Sequence, residues 1–403
     1  MVKIVNSSVT DHALRSVTPS AASDVLRPGA TLGVMGGGQL GAMFAMAGKR
    51  MGYRVEAISD EADCPAARHC DRVHVGASYD PEQLVQIARM LDVVTFEFEN
   101  VPIETVQAMS AVVPVRPAPA VLFTTQDRGR EKAFLMQHGF DCAPHRTVRS
   151  IEDLDAAVAA LGLPAVLKTA AFGYDGKGQR RIDSPTDIPA AWEILGPHEL
   201  VLEAWIDFEA EISVVAARGH TGETAVFEPT RNVHCHHILD VASAPSGLPE
   251  NVLATARRMT AAILNTLGVV GVACVEFFVT REGRVIVNEI APRPHNSGHL
   301  TIDACETSQF EQQVRAICGL PLGSTRQLAP AAMANLLGDC WLHGEPDWPA
   351  ALAMPGVSLM LYGKTNPRPG RKMGHLTARA ATVAEAIATV TLARALAVGQ
   401  VSP

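Results

Sequence analysis

Val287-Asn288-Glu289-Ile290-Ala291-Pro292-Arg293-Pro294-His295-Asn296-Ser297-Gly298-His299 is the stretch on which the reading of this chain turns. An apolar strand runs out of apolar residues partway and ends in a dense group of cationic and amide side chains. The segment before it, 272–279, is an apolar β-type run broken by one carboxylate, Glu276, and Glu282-Gly283 offers a two-residue hairpin turn between the two runs. Pairing about that turn sets Glu276 directly opposite Glu289. Two like charges about 5 Å apart on one face of a sheet are unfavourable unless something positive lies between them. A divalent cation meets that need, and magnesium is held by one or two carboxylates plus nucleotide phosphate oxygens. The hairpin therefore points to a nucleotide-metal site. Arg293, His295, Asn296 and His299 mark it as a place of chemistry, because an exposed structural strand has no use for such a cluster.

With 403 residues and 47% hydrophobic content the chain has material for two or three domains. No stretch approaches eighteen uninterrupted apolar residues, and Asp11, His12, Arg15 and Asp24 stand where a signal peptide would need an apolar core. Neither secretion nor a membrane span is expected. Eight cysteines (64, 70, 142, 235, 274, 305, 318 and 340) are scattered without a Cys-x-x-Cys pair and read as reduced cytoplasmic thiols. A net charge of -8 argues against a general nucleic-acid binder, while leaving room for a local basic pocket that takes a phosphorylated small molecule.

Residues 1–27 carry no sustained periodicity and read as a mobile extension. From 28 to 125, strand-like runs (31–35, 54–58, 73–75, 93–98) alternate with helical stretches (39–51, 81–91), the pattern of a doubly wound parallel sheet. A central part, 126–325, contains a helix to 137, strands at 165–169, 200–205 and 211–217, a helix over 250–267 and the carboxylate hairpin. The remainder, 326–403, contains strands at 331–337 and 358–361, a basic loop, and a helix over 383–397.

Two glycine loops bear on the ligand. Gly36-Gly37-Gly38-Gln39-Leu40-Gly41 follows a strand and opens a helix, with Glu56 or Asp60 roughly twenty residues on, which fits a dinucleotide fingerprint. The same geometry binds any phosphate through helix N-terminal amides, so a phosphate site is the broader reading and a nicotinamide enzyme the narrower one. In the second loop, Lys168 ends a strand and Gly173-Tyr174-Asp175-Gly176-Lys177-Gly178-Gln179 follows. This is not a Walker A sequence, yet its glycines let the backbone fold over phosphates while Lys168 and Lys177 supply charge.

Taken together, Lys168, the 173–179 loop, Glu203-Ala204-Trp205-Ile206, Glu211, Glu276 and Asn288-Glu289 resemble the ATP-grasp superfamily. Within it, the 36–41 loop, the 291–299 segment and the stretch Tyr362-Gly363-Lys364-Thr365-Asn366-Pro367-Arg368-Pro369-Gly370-Arg371-Lys372-Met373-Gly374-His375 resemble the 5-(carboxyamino)imidazole ribonucleotide synthase family, over about residues 29–399. The resemblance implies an α/β ATP-grasp ligase with an N-terminal parallel-sheet domain, a central ATP-grasp domain and a small C-terminal α+β domain. Its implied substrates are ATP, bicarbonate and aminoimidazole ribonucleotide, its implied metal is Mg2+, and its implied assembly is a homodimer. Arg128 and Lys168 would contact ATP phosphates, the 173–179 loop would cover them, 203–206 would form the hinge that reads adenine, Glu211 would take the ribose hydroxyls, and His234 and Asn288 would lie on the nucleotide side. Glu276 and Glu289 would hold the metal; wider relatives have asparagine where this chain has Ala291. Arg293, His295 and Asn296 match the bicarbonate site, where a guanidinium fork suits a planar anion. The ribonucleotide 5′-phosphate would be held by amides of the first glycine loop (Gly38, Gln39, Leu40) and by Lys364, Arg371 and Lys372. Tyr174, Asp175 and Lys177 would meet the ribonucleotide, with Asp175 orienting the exocyclic amine or taking its proton. Lys177 stands where the family often has arginine, and Arg231 where an acid is frequent.

Overall fold

The computed structural model describes residues 25–76, 80–171, 173 and 178–400. Strands β1 (Thr31–Met35), β2 (Arg54–Ser59), β3 (Arg72–Val75) and β4 (Val93–Phe96) form a parallel sheet in the order β3-β2-β1-β4. All residues of β1 and β4 are buried, as expected for strands covered on both faces. The order reverses between β1 and β4, so the loops at their carboxyl ends flank a crevice where such sheets bind ligands. The chain is already anchored before Pro28: the Leu26 amide donates to the Cys318 carbonyl (2.9 Å), and the Tyr53 hydroxyl to the Leu26 carbonyl (2.7 Å).

Strands β5 (His145–Val148), β6 (Ala165–Thr169), β7 (Gln179–Ile182) and β8 (Leu200–Ala204) make an antiparallel sheet ordered β5-β8-β6-β7. Helices Ile151–Leu161 and Ile188–Leu195 cover one face through a core that includes Leu154, Leu167, Leu202 and Ile188.

The third sheet has nine strands: β9 (Phe208–Arg218), β10 (Thr224–Val226), β11 (Thr230–Cys235), β12 (Ile238–Ala244), β13 (Gly271–Thr280), β14 (Val285–Ala291), β15 (Ala331–Leu337), β16 (Val357–Leu361) and β17 (Lys372–Arg379). They run β14-β13-β9-β11-β12-β15-β17-β16, with β10 on β9. β12 pairs with β15, so strands on both sides of residue 326 share one ladder.

The decisive hairpin is β13–β14, and it differs from expectation in a way that has a physical reason. The turn is three residues, Arg281, Glu282 and Gly283, closed by the Thr280 amide donating to the Arg284 carbonyl (3.0 Å), with Gly283 at φ 79°. Next to the turn Val279 pairs with Val285 and Phe277 with Val287; a bulge then leaves Asn288 unpaired and sets Glu276 opposite Glu289. Strict alternation would put Val285, Val287 and Glu289 on the same face. The bulge breaks that parity, so the two valines join the core with Phe277 and Val279 while Glu289 turns to the other side with Glu276.

Helix Gln309–Ile317 lies between the first and third sheets. Phe310, Val314 and Ile317 pack with Leu32 and Val55, while the Gln313 side chain accepts from the Val272 amide (2.5 Å) and donates to the Thr95 hydroxyl (2.7 Å). All three residues are buried. Replacing Gln313 with leucine conserves volume but strands a buried amide and hydroxyl, which is expected to cost about 1–3 kcal/mol. A lowered urea midpoint with unchanged far-ultraviolet circular dichroism is the readout.

Candidate active site

A cleft of about 530 Å³ opens where the three sheets meet, lined from the first by Gly38, Gln39, Leu40, Glu97 and Glu99, from the second by Lys168 and Gln179, and from the third by Glu211, His234, Glu276, Asn288, Glu289, Arg293, His295, Asn296 and Lys372. Arg128, at the start of helix Arg128–Gln137, and Gly173 also line it. Tyr174, Asp175, Gly176 and Lys177 lie outside the described residues. Gly178 stands just before β7 at φ 74°, and its amide-linked carbonyl accepts from the Thr169 amide (2.8 Å), closing the base of the second glycine loop.

On the nucleotide side, the Glu203 carboxylate lies between two buried lysines: Lys168 Nζ is 2.8 Å from one oxygen and Lys132 Nζ 3.1 Å from the other. Burial alone would raise the Glu203 pKa, but Lys168, Lys132 and Arg128 more than offset it and hold the group at about 2. Its carboxylate thus serves the lysines. Glu203, Ala204, Trp205 and Ile206 are not among the residues that line the cleft; Trp205 is exposed, with the Arg181 guanidinium 4.1 Å above its ring. Glu211 forms an ion pair with His234, and burial, which disfavours the imidazolium, is outweighed by this carboxylate, so the His234 pKa rises.

At the hairpin, Glu276 pairs with His295 Nε2 (3.0 Å) and Glu289 with Arg128 Nη1 (3.2 Å). Burial pushes the Glu276 pKa up, but His295 pulls it down to about 2. Conversely, burial opposes charge on His295, while Cys274 and Glu276 hold its pKa at about 10, so the ring is an imidazolium near neutrality and donates hydrogen bonds. The buried Asn288 Oδ1 has no hydrogen-bond partner among the described residues. Two carboxylates and an amide oxygen form a hard-oxygen set of the kind magnesium takes alongside phosphate and water, so these residues fit that ion. Ala291, buried at the end of β14, offers no side-chain oxygen, whereas the bulged Asn288 carries an amide oxygen.

Two expectations for this region are corrected. The Arg293 fork is already engaged on one edge: Nε and Nη2 donate to Glu99 (2.5 and 2.8 Å) and Nη1 donates to the Pro294 carbonyl (3.2 Å), so only the other edge is open to an anion. His299 does not face the cleft. It is fully buried, its ring stacked on His375 at 5.0 Å and its Nδ1 3.2 Å from Gln309 Nε2. The same glutamine clasps the His295 backbone, accepting from its amide and donating to its carbonyl (both 2.8 Å). Asn296 keeps both side-chain polar atoms buried without a hydrogen-bond partner among the described residues.

The first glycine loop is a third correction. The Gly38 amide, expected with those of Gln39 and Leu40 to receive a phosphate, donates instead to the buried Glu97 carboxylate, as does the Gly41 amide. A Cβ at Gly36, where φ is +113°, would stand 2.3 Å from Glu97 Cγ, so glycine is required for the loop to wrap this side chain. Burial pushes the Glu97 pKa up against the pull of those amides. Glu56, the acid in the dinucleotide position, is 2.6 Å from His74. A pyrophosphate therefore has no ready seat here, which removes the structural basis for a nicotinamide site. The Gln39 side chain accepts from Lys364 Nζ (2.8 Å), which also donates to the Lys372 carbonyl (2.8 Å); burial, then Arg371, lowers the Lys364 pKa to about 8. Arg371 donates to the Asn366 carbonyl (2.8 Å). Of these three cations Lys372 lines the cleft.

Sequence reasoning missed Glu97, Glu99, Glu131, Lys132 and Gln309. Glu131 lines the cleft and accepts from the Ile290 amide (2.8 Å), and burial lifts its pKa to about 8.

A mixed three-sheet scaffold with a lysine-flanked nucleotide side and paired carboxylates defines an ATP-grasp enzyme. Residues 29–126 match the ribonucleotide synthetase preATP-grasp domain, 133–310 the ATP-grasp domain and 331–389 the phosphoribosylaminoimidazole carboxylase C-terminal domain. The N5-carboxyaminoimidazole ribonucleotide synthase of Brucella melitensis is 43% identical over 354 residues, covering 87% of this chain and 97% of that protein. A crystal structure of the ADP complex of purK, an N5-carboxyaminoimidazole ribonucleotide synthetase, has 38% identity and a TM-score of 0.88 over 92% of this chain and 98% of that one. The Aspergillus clavatus synthase, solved with ADP and 5-aminoimidazole ribonucleotide, has 29% identity and a TM-score of 0.84 over 93% of this chain and 100% of its own. The chain belongs to the N5-carboxyaminoimidazole ribonucleotide synthase family.

Glu203 gives a direct test of the buried charge network. Replacing it with glutamine leaves Lys132 and Lys168 facing a neutral amide, at an expected cost of about 3–5 kcal/mol. Because folding lowers its pKa from 4.5 to about 2, its contribution is complete above pH 4.5 and disappears as pH falls to about 2. Thermal unfolding followed from pH 6 to pH 2 should therefore show a flatter acid limb for Glu203→Gln than for the wild type.

Proposed function

We propose that this protein uses ATP and bicarbonate to carboxylate the exocyclic amine of 5-aminoimidazole ribonucleotide, yielding N5-carboxyaminoimidazole ribonucleotide, ADP and phosphate in purine biosynthesis. The observation that carries the reading is the continuity of one short segment, the end of β14 and the loop after it: Glu289, opposite Glu276, leads within seven residues to Arg293, His295 and Asn296, all on the cleft. Family membership supports the substrate, since a relative was solved with ADP and 5-aminoimidazole ribonucleotide.

In the reaction, a bicarbonate oxygen attacks the γ-phosphorus and ADP leaves, giving carboxyphosphate; the amine nitrogen then attacks its carboxyl carbon and phosphate leaves. Magnesium, held by Glu276, Glu289 and Asn288, would neutralise phosphate charge. Arg128 and Lys168 would draw the triphosphate to one side of the cleft. The open edge of Arg293, the His295 imidazolium and the Asn296 amide would fix bicarbonate for attack, lowering the cost of bringing two anions together. His295, already protonated, would act as a donor. The amine proton would pass to another acceptor, for which Asp175 is proposed. Lys372, with Lys364 and Arg371 behind it and the Gln39 and Leu40 amides opposite, would hold the ribonucleotide phosphate. A homodimer is proposed as the assembly, and eight free thiols accord with a cytoplasmic setting.

Phosphate release from Mg-ATP and bicarbonate, measured with and without aminoimidazole ribonucleotide and with a nicotinamide control, tests the proposal. Strong stimulation by the ribonucleotide alone is expected; turnover indifferent to it would assign the acceptor to another amine. Glu289→Ala should lower kcat by about 10²-fold or more, and unchanged turnover in that variant would sink the metal-site assignment.

A further inference from the structure

We infer that Glu99 is a positioning residue for the anion site, setting the direction in which Arg293 presents its open edge; this rests on the bicarbonate reading of Arg293. Glu99 lies on the loop that follows β4 of the first sheet and Arg293 on the loop that leaves the carboxylate hairpin, so the pair joins parts of the chain 194 residues apart. Its geometry is bidentate, Nε at 2.5 Å and Nη2 at 2.8 Å from the two carboxylate oxygens. A guanidinium held by two parallel bonds has its plane and rotation fixed, whereas one bond would leave it free to swing.

The backbone that carries this carboxylate is held on both sides. Two residues earlier Glu97 is locked into the Gly38 and Gly41 amides. Gln126 Nε2 donates to the Glu99 and Val101 carbonyls, both at 3.1 Å. Glu99 is therefore a fixed post and Arg293 the arm oriented by it. An arginine on a loop next to two carboxylates needs such restraint, because Glu289 also attracts it and a guanidinium that turned toward the metal-binding pair would be lost to the anion. A contact serving only to glue the sheets would not need both surfaces to lie on the cleft, yet Glu99 and Arg293 both line it.

The test compares Glu99→Ala, Glu99→Gln and the wild type. In Glu99→Ala, kcat/KM for bicarbonate should fall by about 10²-fold while KM for ATP changes by less than about threefold, with Glu99→Gln between the two. A crystal structure of Glu99→Ala should show the Arg293 guanidinium displaced. An unchanged bicarbonate KM, an equal rise in every KM together with a lowered Tm, or an unmoved guanidinium overturns the inference. Absence of bicarbonate-dependent turnover in the wild type would instead defeat the proposed function, and the position of Arg293 in the variant crystal would still decide what Glu99 does.

Discussion

Two carboxylates set face to face in a buried hairpin are the constraint around which this molecule is arranged. Like charges opposed on one ladder are unfavourable, and each has a cation beside it: Arg128, from a helix start, pairs with Glu289, and His295, from the loop after β14, pairs with Glu276. The same logic extends outward. Lys132 and Lys168 require Glu203, and Arg293 requires Glu99. The result is a cleft wall of alternating charge in which few groups are unopposed, drawn from three sheets that have separate cores.

This arrangement explains why the glycine loop after β1 is a poor guide to its ligand. Amides at a helix start attract an anion, and in this chain the anion is the protein's own Glu97. The physics that made a phosphate seat plausible operates as supposed, with a different occupant. Sequence spacing reports that an anion is wanted there without reporting whose it is.

Legibility followed the same division. Continuous apolar runs such as 31–35 and 331–337, and the long amphipathic helix Glu250–Leu267, were readable because burial leaves a periodic trace. The Glu276 and Glu289 pairing was readable although the turn assigned to it was wrong, since a longer turn and a bulge shift the register by equal and opposite amounts. The basic stretch read as a loop in fact runs into β17 at Lys372. What stayed hidden was partnership at long range. Glu131 and Lys132 look like surface charges on a helix of low apolar content, yet both are buried because their partners come from β14 and β8. Glu97 and Glu99 did leave a signal: acids two apart just past the carboxyl end of a fully buried parallel strand stand where such sheets open their crevice, and both line the cleft.

The bulge at Asn288 has one more consequence. Removing that residue from the strand would leave Val287 followed by Glu289, a regular alternation with valines inward and the acid outward, and pairing with β13 would run unbroken. The backbone ladder thus has no use for Asn288, while the residue lines the cleft and its amide oxygen has no hydrogen-bond partner among the described residues. An amide has been added to the cleft wall here by lengthening the chain rather than by changing a side chain, so the composition of that wall is written partly in the number of residues between its two acids.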